Sequence, residues 1–215
     1  MTVFISGTAG GIGGATARLF LEKGDIVFGV DKKESLIRHE RYYFIRQDIR
    51  EPLPEDLPPA EILIYAAGTI DESEAIDVNL EASIHLHEQL SKSKSLRSVL
   101  FIASASARNG SEFPYYVASK AGLVGYMKQQ ALSLAKRGVT CNSISPGGVV
   151  TDLNRHILDS EELYRAVKAE TLLGKWAEPR EIAELAYFMT VINRSITGED
   201  ILIDNGEMLK SNFIW

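Results

Sequence analysis

The chain has 215 residues, 45% hydrophobic and 24% charged, which is the composition of an ordinary soluble globular protein and not of a disordered tail, a fibre or a coiled coil. Its 29 acidic and 23 basic residues give a net charge of −6, and no Lys/Arg run exceeds two residues, so neither nucleic acid nor a membrane surface is an expected partner. A single cysteine and four scattered histidines predict no disulfide and no metal site.

The start of the chain carries no basic segment followed by a long apolar run, so no secretion signal is predicted. Apolar runs such as Ile62–Ala67 and Val99–Ala103 are far shorter than the roughly 20 residues of a membrane-spanning helix. A cytoplasmic location in a reducing compartment is therefore expected.

Seven short apolar runs bounded by turn residues predict buried strands. They are Thr2–Ser6, Ile26–Val30, Tyr42–Arg46, Glu61–Ala66, Arg97–Ala103, Val139–Ile144 and Asp200–Ile203. Helical patterns lie between them, for example at Ala15–Lys23 and Val117–Arg137. This alternation predicts an α/β fold in a single domain over residues 1–215, with a doubly wound, seven-stranded parallel sheet covered by helices on both faces.

A glycine-rich stretch, Gly7 to Gly14, separates the first strand from the first helical pattern. Glycines let backbone amides approach a pyrophosphate, and the helix N-terminus that follows offers free N–H groups and a positive dipole end. Glycines also make ordinary tight turns. Here, however, Asp31 ends the second strand about 20 residues further on, where a carboxylate can bind the adenosine ribose, so the pattern indicates a dinucleotide site.

The side chain at Asp31 also bears on the choice of dinucleotide. A carboxylate at this position would repel the additional phosphate of NADP, while Lys32 and Lys33 offset part of that repulsion. NAD is therefore predicted, and NADP is the less favoured cofactor.

The connection between the third and fourth strands is unusual. Residues 48–60 include prolines at positions 52, 54, 58 and 59, which cannot lie inside a helix. Crossovers between parallel strands usually contain a helix. Two interpretations stay open: a shortened surface loop, or a partner-binding surface left by the missing helix.

A phenol and an ammonium occur four residues apart in Tyr116-Val117-Ala118-Ser119-Lys120, within a predicted helix and so on one face. A nearby ammonium favours the phenolate and lowers the tyrosine pKa from its usual value of about 10. Ser104 ends the fifth strand, at the sheet edge where ligands bind in α/β folds. Ser106 is a nearby competitor, but Ser104 aligns directly with the strand end. Taken singly, these residues could be a surface pair and a cap.

In this order, the segments resemble the short-chain dehydrogenase/reductase family, from Val3 to about Gly206. Further matching segments are Asp48-Ile49, Ala66-Ala67-Gly68, Val78-Asn79, Ser145-Pro146-Gly147 with Thr151, Ile196-Thr197-Gly198 and Asp204-Asn205-Gly206. The resemblance implies a Rossmann-type sheet, hydride transfer between NAD(P) and a secondary alcohol or ketone, and a homodimer or homotetramer. Where the family has two asparagines, this chain has Tyr65-Ala66, so their hydrogen bonds must be replaced or lost.

The resemblance assigns roles to individual residues. Tyr116 would be the general acid/base, Lys120 would hold the nicotinamide ribose and lower the tyrosine pKa, and Ser104 would orient the reacting oxygen. Asn79 would bind a water of the proton relay. The implied cofactor-binding residues are Gly7, Gly11, Ile12, Gly13, Asp31, Asp48, Ile49, Ala67, Gly68, Tyr116, Lys120, Pro146, Gly147, Val149 and Thr151.

The substrate side is less determined by the sequence. The family implies a short lid at about residues 152–175, and the loop residues Arg108, Asn109, Phe113 and Tyr115 are candidates for the pocket. The acidic stretch Asp71-Glu72-Ser73-Glu74 is most simply a solvated turn. The apolar stretch Phe213-Ile214-Trp215 is a candidate contact with a neighbouring subunit.

Other functions are weighed against the dehydrogenase. A catalytically silent NAD(P)-binding redox sensor or scaffold would share the fold, but the complete set of Asn79, Ser104, Tyr116 and Lys120 argues against it. Nucleotide-sugar epimerases share Tyr-x-x-x-Lys but generally carry a larger C-terminal substrate domain. A serine hydrolase is disfavoured because no Gly-x-Ser-x-Gly motif occurs.

Overall fold

The computed structural model describes residues 1–111 and 113–209, which form one seven-stranded, fully parallel sheet in the order β3-β2-β1-β4-β5-β6-β7. The strands are β1 (Thr2–Ser6), β2 (Ile26–Asp31), β3 (Tyr42–Arg46), β4 (Ile62–Tyr65), β5 (Ser98–Ile102), β6 (Thr140–Pro146) and β7 (Asp200–Ile203). All seven predicted strands are confirmed, with ends that differ by at most two residues. The doubly wound α/β fold is therefore confirmed.

Helices connect the strands and cover both faces of the sheet. They are α1 (Gly11–Glu22), α2 (Ala82–Leu90), α3 (Ser106–Asn109), α4 (Pro114–Leu134), α5 (Arg155–Leu158), α6 (Glu161–Ala169) and α7 (Pro179–Tyr187). Wider π-helical turns precede α2 at Ile76–Glu81 and follow α7 at Phe188–Ile192. Short 3-10 turns lie at Ala135–Arg137, Asp152–Asn154 and Glu207–Leu209.

Two helix starts differ from the predictions because of the residues that begin them. α1 begins at Gly11, four residues before the predicted start at Ala15, because the last residues of the glycine-rich stretch form the first turn of the helix. α4 begins at Pro114, which is favoured in the first turn because its missing N–H has no partner there anyway.

The central strand β4 shows how the sheet builds two cores. Its side chains alternate between the faces. Leu63 and Tyr65 join the cluster beneath α2 and α4, whereas Ile62 and Ile64 join the cluster beneath α1 and α7. All four are essentially inaccessible to solvent, as expected for a central strand of a sheet covered on both sides.

The proline-containing crossover forms no helix, as its sequence predicts. Ile49 and Leu53 instead pack into the core beside α2. The Gln89 side chain of α2 accepts a hydrogen bond from the Leu53 N–H at 3.1 Å and donates one to the Leu53 carbonyl at 2.8 Å. A side-chain amide thus satisfies backbone groups that a helix would have paired internally. The idea of a partner-binding surface stays a prediction.

Within residues 1–111 and 113–209, no helix is long and apolar enough to cross a membrane. The same residues contain no group of three or more His, Cys, Asp or Glu side chains able to hold a metal ion. The apolar stretch at residues 213–215 lies outside the described residues.

Candidate active site

A cleft of about 320 Å³ opens at the carboxyl edge of the sheet. The chain runs outward in opposite directions from β1 and β4, which is the type of position where α/β folds bind ligands. Predicted site residues that line this cleft are Ile12, Gly68, Ser104, Tyr116, Lys120, Pro146, Gly147, Val149 and Thr151. The structure thus brings together the predicted proton-transfer residues and part of the predicted cofactor set.

The glycine turn owes its composition to close backbone packing. Gly7 has a φ of 78°, and a Cβ atom there would lie 2.7 Å from the backbone nitrogen of Ala67. A Cβ atom at Gly13 would lie 2.2 Å from the carbonyl oxygen of Gly7, and one at Gly11 would lie 2.3 Å from Cγ2 of Thr151. Side chains at these positions would force the turn away from β4 and from the segment after β6.

The N-terminus of α1 is suited to bind an anion. Gly10 occupies the capping position in an extended conformation, and no described side chain caps the helix. The first turn contains no acidic residue, so no carboxylate of its own sequence occupies the positive dipole end of the helix. These features fit the pyrophosphate of a dinucleotide.

Asp31 lies directly beside the glycine turn. Its Oδ2 accepts a hydrogen bond from the Ala9 N–H at 3.0 Å, and its Oδ1 accepts one from the Lys33 N–H at 2.9 Å. The carboxylate therefore joins the turn after β1 to the loop after β2, at the position expected of a ribose-binding acid.

Asp48 and Ile49 lie apart from the cleft. Arg50 donates to both carboxylate oxygens of Asp48, from Nε at 3.0 Å and from Nη2 at 2.7 Å. The Arg50 hydrogen bonds hold the pKa of Asp48 at about 2, although partial burial opposes them. Ile49 is 7% exposed and packs in the core.

Lys120 is the buried cation of the cleft. Its Nζ donates to the carbonyl oxygen of Ile102 at 3.0 Å and lies 5.8 Å from the centre of the Tyr116 ring. The residue is only 5% exposed, and burial lowers the pKa of its ammonium to about 8. The predicted Tyr116–Lys120 pair therefore shares one wall of the cleft.

Ser104 and Ser106 are distinguished by their positions. Ser104 lines the cleft, whereas Ser106 is buried behind it. The Ser106 hydroxyl donates to Ser104 Oγ at 2.8 Å, which leaves the hydroxyl hydrogen of Ser104 available for another acceptor. The geometry supports the choice of Ser104 made from its position at the strand end.

Asn79 is fully buried in the π-helical turn before α2 and connects two elements. Its Oδ1 accepts from the Thr69 N–H at 2.8 Å, and its Nδ2 donates to the Thr69 carbonyl and to Ser119 Oγ, each at 3.0 Å. Ser119 in turn donates to the carbonyl oxygen of Tyr116 at 2.7 Å. Through these bonds, Asn79 holds the loop after β4 against the start of α4.

Ser6 replaces the hydrogen bonds expected to be lost at Tyr65-Ala66. Its Oγ accepts from the N–H groups of Ala66 and Ala67 at 3.1 and 3.2 Å. The Tyr65 ring is buried, stacks on Phe101 and places its hydroxyl 3.2 Å from Nδ1 of His87. The backbone at Ala67 and Gly68 therefore keeps its anchoring without the asparagines.

Seven further residues line the cleft, five of them within the lid predicted at about 152–175 and two, Trp176 and Glu207, outside every predicted site segment. The segment after β6 contributes an apolar wall, and two acidic residues stand beside it. These residues are Leu153, Asn154, Ile157, Val167, Glu170, Trp176 and Glu207. Burial raises the pKa of Glu207, and the neighbouring Asp204 and Glu170 carboxylates add to this effect.

The loop candidates Arg108, Asn109, Phe113 and Tyr115 do not line the cleft. Arg108 instead pairs with the carboxylate of Asp200 at 2.7 Å, so a carboxylate of the protein itself occupies this arginine. Asp200 belongs to β7, and the pair attaches α3 to the edge strand of the sheet.

The acidic stretch 71–74 is also more than a solvated turn. Glu72 is half-buried and accepts hydrogen bonds from the backbone of α4. The sequence did carry a signal for this contact. α4 starts with Pro114 after the apolar Phe113, which has no side chain able to cap a helix, so a residue from elsewhere in the chain has to cap it.

The fold and the cleft define a dinucleotide-binding oxidoreductase of the α/β class. A family model described as Enoyl-(Acyl carrier protein) reductase matches residues 67–207. A short chain dehydrogenase of Penicillium roqueforti is 29% identical over 245 aligned positions, which cover 95% of this chain and 96% of that protein. An L-rhamnose 1-dehydrogenase (NADP(+)) of Thermoplasma acidophilum is 30% identical over 61% of this chain and 54% of its own length.

Among solved structures, a 4-hydroxyisoleucine dehydrogenase mutant complexed with NADH and succinate superposes with a TM-score of 0.86. It is 30% identical, and the match covers 99% of this chain and 100% of that chain. The chain belongs to the short-chain dehydrogenase/reductase family. It is an NAD(P)-dependent oxidoreductase.

Proposed function

We propose that this protein oxidises a secondary alcohol to a ketone, and reduces the ketone in reverse, with NAD as cofactor and Tyr116 as general acid/base. The observation that carries the proposal is that Ser104, Tyr116 and the buried Lys120 line one cleft beside the glycine turn. The substrate is a small molecule that fits this cleft.

The cofactor would lie between the glycine turn and the segment after β6. Gly7, Gly11 and Gly13 would admit its pyrophosphate to the N-terminus of α1, and Pro146–Val149 would border its nicotinamide. When bound, the nicotinamide supplies or accepts the hydride of the reaction. The contacts of Asp48, Ile49, Ala67 and Thr151 with the cofactor stay predictions.

The residues of the cleft have complementary tasks. Ser104 Oγ, which already accepts a hydrogen bond from Ser106, can donate its own hydrogen to the reacting oxygen. Tyr116 takes the proton of the alcohol or returns it to the ketone oxygen. The buried charge of Lys120 favours the phenolate and so assists proton removal from Tyr116. Asn79 holds the start of α4, and its role in binding a water of the proton relay stays a prediction.

Replacement of the tyrosine tests the proposal. General acid/base catalysis contributes about 10² to 10⁴ in rate, so Tyr116→Phe is expected to lower kcat by that factor. Its affinity for NADH should stay within about twofold of the wild-type value, because the glycine turn is untouched. A panel of secondary alcohols and ketones, followed at the nicotinamide absorbance, provides the assay. Undiminished turnover by the variant would exclude Tyr116 as the proton donor, and NADH binding without any turnover would favour the redox sensor or scaffold.

The choice of NAD over NADP rests on the Asp31 carboxylate beside the glycine turn. Fluorescence titration should show tighter binding of NADH than of NADPH. Asp31→Ala should reduce that preference, because it removes both the ribose-binding group and the repulsion of the extra phosphate. A wild-type preference for NADPH would contradict the assignment.

We also propose that the protein forms a homodimer or homotetramer and is located in the cytoplasm. Light scattering coupled to size-exclusion chromatography measures the assembly, and a monomer at micromolar concentration would contradict it. The same measurement on a chain ending at Asn212 tests the predicted contact of the apolar C-terminus.

A further inference from the structure

We propose that Glu72 is a positioning residue for catalysis, because it fixes the backbone of Tyr116 from the loop that follows β4. The inference rests on the proposed role of Tyr116 in proton transfer. It assigns a function to one carboxylate in the acidic stretch 71–74.

The carboxylate of Glu72 binds two successive backbone N–H groups of α4. Oε2 accepts from the Tyr115 N–H and Oε1 from the Tyr116 N–H, each at 3.0 Å. Ionised carboxylates make strong hydrogen bonds with backbone N–H groups, and this one lies at the positive end of the 21-residue helix. Both oxygens of the carboxylate are therefore used to hold one turn of helix.

These two bonds account for the start of α4. Pro114 has no N–H, and the N–H of Val117 already bonds to the carbonyl of Phe113 at 2.8 Å. The N–H groups of Tyr115 and Tyr116 are thus the donors of the first turn that need an acceptor from elsewhere. Glu72, more than 40 residues earlier in the chain, supplies it to both.

The peptide groups on both sides of Tyr116 are consequently held. Glu72 binds its N–H, and Ser119 Oγ donates to its carbonyl at 2.7 Å. Ser119 is itself bonded to Asn79, which also holds Thr69 at the beginning of the same loop. Glu72 therefore holds the tyrosine directly, and Thr69 in the same loop is connected to it through Asn79 and Ser119.

The place of this loop in the chain explains why the contacts of Glu72 matter for catalysis. It directly follows Ala67-Gly68, the segment expected to pass the cofactor. Loss of the Glu72 contacts would let the first turn of α4 move relative to that segment, while the glycine turn and Asp31 stay in place. Proton transfer depends on the distance between reacting groups, and a misplacement of about 1 Å can lower the rate about 10²-fold.

Glu74 offers a matched control two residues away. Its carboxylate pairs with Arg50 at 3.2 Å and with Lys32 at 3.8 Å. Glu74→Gln removes the same charge from the same stretch without removing a bond to the catalytic helix.

The experiment compares Glu72→Ala, Glu72→Gln, Glu74→Gln and Tyr116→Phe with the wild-type protein. For Glu72→Ala we expect kcat to fall about 10- to 100-fold, while KM and the Kd for NADH stay within about twofold. Glu72→Gln keeps one acceptor oxygen and should give an intermediate kcat. Glu74→Gln should behave as wild type. Amide hydrogen exchange of residues 115–118 should be faster in Glu72→Ala than in the wild type or in Glu74→Gln.

The outcomes separate this inference from the proposed function. If Tyr116→Phe abolishes turnover but Glu72→Ala keeps wild-type kcat and exchange rates, the positioning role is wrong and the function stands. If Tyr116→Phe keeps full activity, the proposed function is wrong, and the exchange rates alone report whether Glu72 holds the helix. A parallel change of kcat, KM and NADH affinity in Glu72→Ala would indicate general loss of structure and would overturn the positioning role.

Discussion

The buried Lys120 is expected to lower the stability of the cofactor-free protein at neutral pH. Its pKa falls from 10.5 to about 8 on folding because the ammonium loses its hydration. Below pH 8 the charge is present in the folded and the unfolded chain, so folding must desolvate it. Between pH 8 and 10.5 the folded chain binds fewer protons than the unfolded chain, and the free energy of unfolding therefore rises with pH.

The magnitude follows from the difference between the two pKa values. At roughly 1.4 kcal/mol for each pKa unit, the rise across this window is about 3 kcal/mol. Lys120→Met keeps the length of the side chain but has nothing to titrate. At pH 7 this variant should be at least as stable as the wild type, since the lost hydrogen bond to Ile102 offsets only about 1.5–3 kcal/mol.

Urea unfolding of both proteins between pH 7 and pH 10.5 checks the prediction. With Tyr116→Phe added to both proteins, so that no phenol coupled to Lys120 titrates in only one of them, the difference in the free energy of unfolding between the protein with Lys120 and the Lys120→Met variant cancels the other titrating groups. This difference should increase by about 3 kcal/mol over that range. The variant should also have lost turnover. A difference that stays constant with pH would show that Lys120 does not titrate in this window, and the argument from burial would then be wrong.

Two further pairs of substitutions test the geometry of the cleft and of the glycine turn. Ser104→Ala should lower kcat about 10²-fold, as removal of one oxyanion donor does in other enzymes. Ser106→Ala should lower kcat no more than about tenfold. Steady-state kinetics that rank the two variants in the opposite order would reverse the assignment. Gly13→Ala should weaken NADH binding at least tenfold, because its Cβ would lie 2.2 Å from the Gly7 carbonyl oxygen. A Cβ atom at Gly125 would meet no atom within 4 Å, so the Gly125→Ala variant should bind NADH normally and gain about 1 kcal/mol of stability. Equal NADH titration curves for Gly13→Ala and Gly125→Ala would refute the packing argument.

Local patterns in the sequence determined the sheet, the glycine turn and the pair proposed to carry out proton transfer. Buried parallel strands need continuous apolar runs, and close backbone contacts need glycine. Residues that are neighbours in the sequence therefore specify both features. Tyr116 and Lys120 are four residues apart on one helix, and their shared face follows from the helical repeat. Even the absence of a helix at 48–60 followed from the chemistry of proline.

Contacts between residues far apart in the chain were decided only by the tertiary structure. Arg108 binds Asp200 instead of facing a substrate, and Glu72 caps a helix that begins more than 40 residues later. Trp176 and Glu207 reach the cleft from two separate segments, one before α7 and one after β7, whose own patterns show only local turns and helices. Each of these positions depends on which surfaces meet when the sheet and its helices pack. A charged side chain finds its partner, or loses its water, only when that packing is complete.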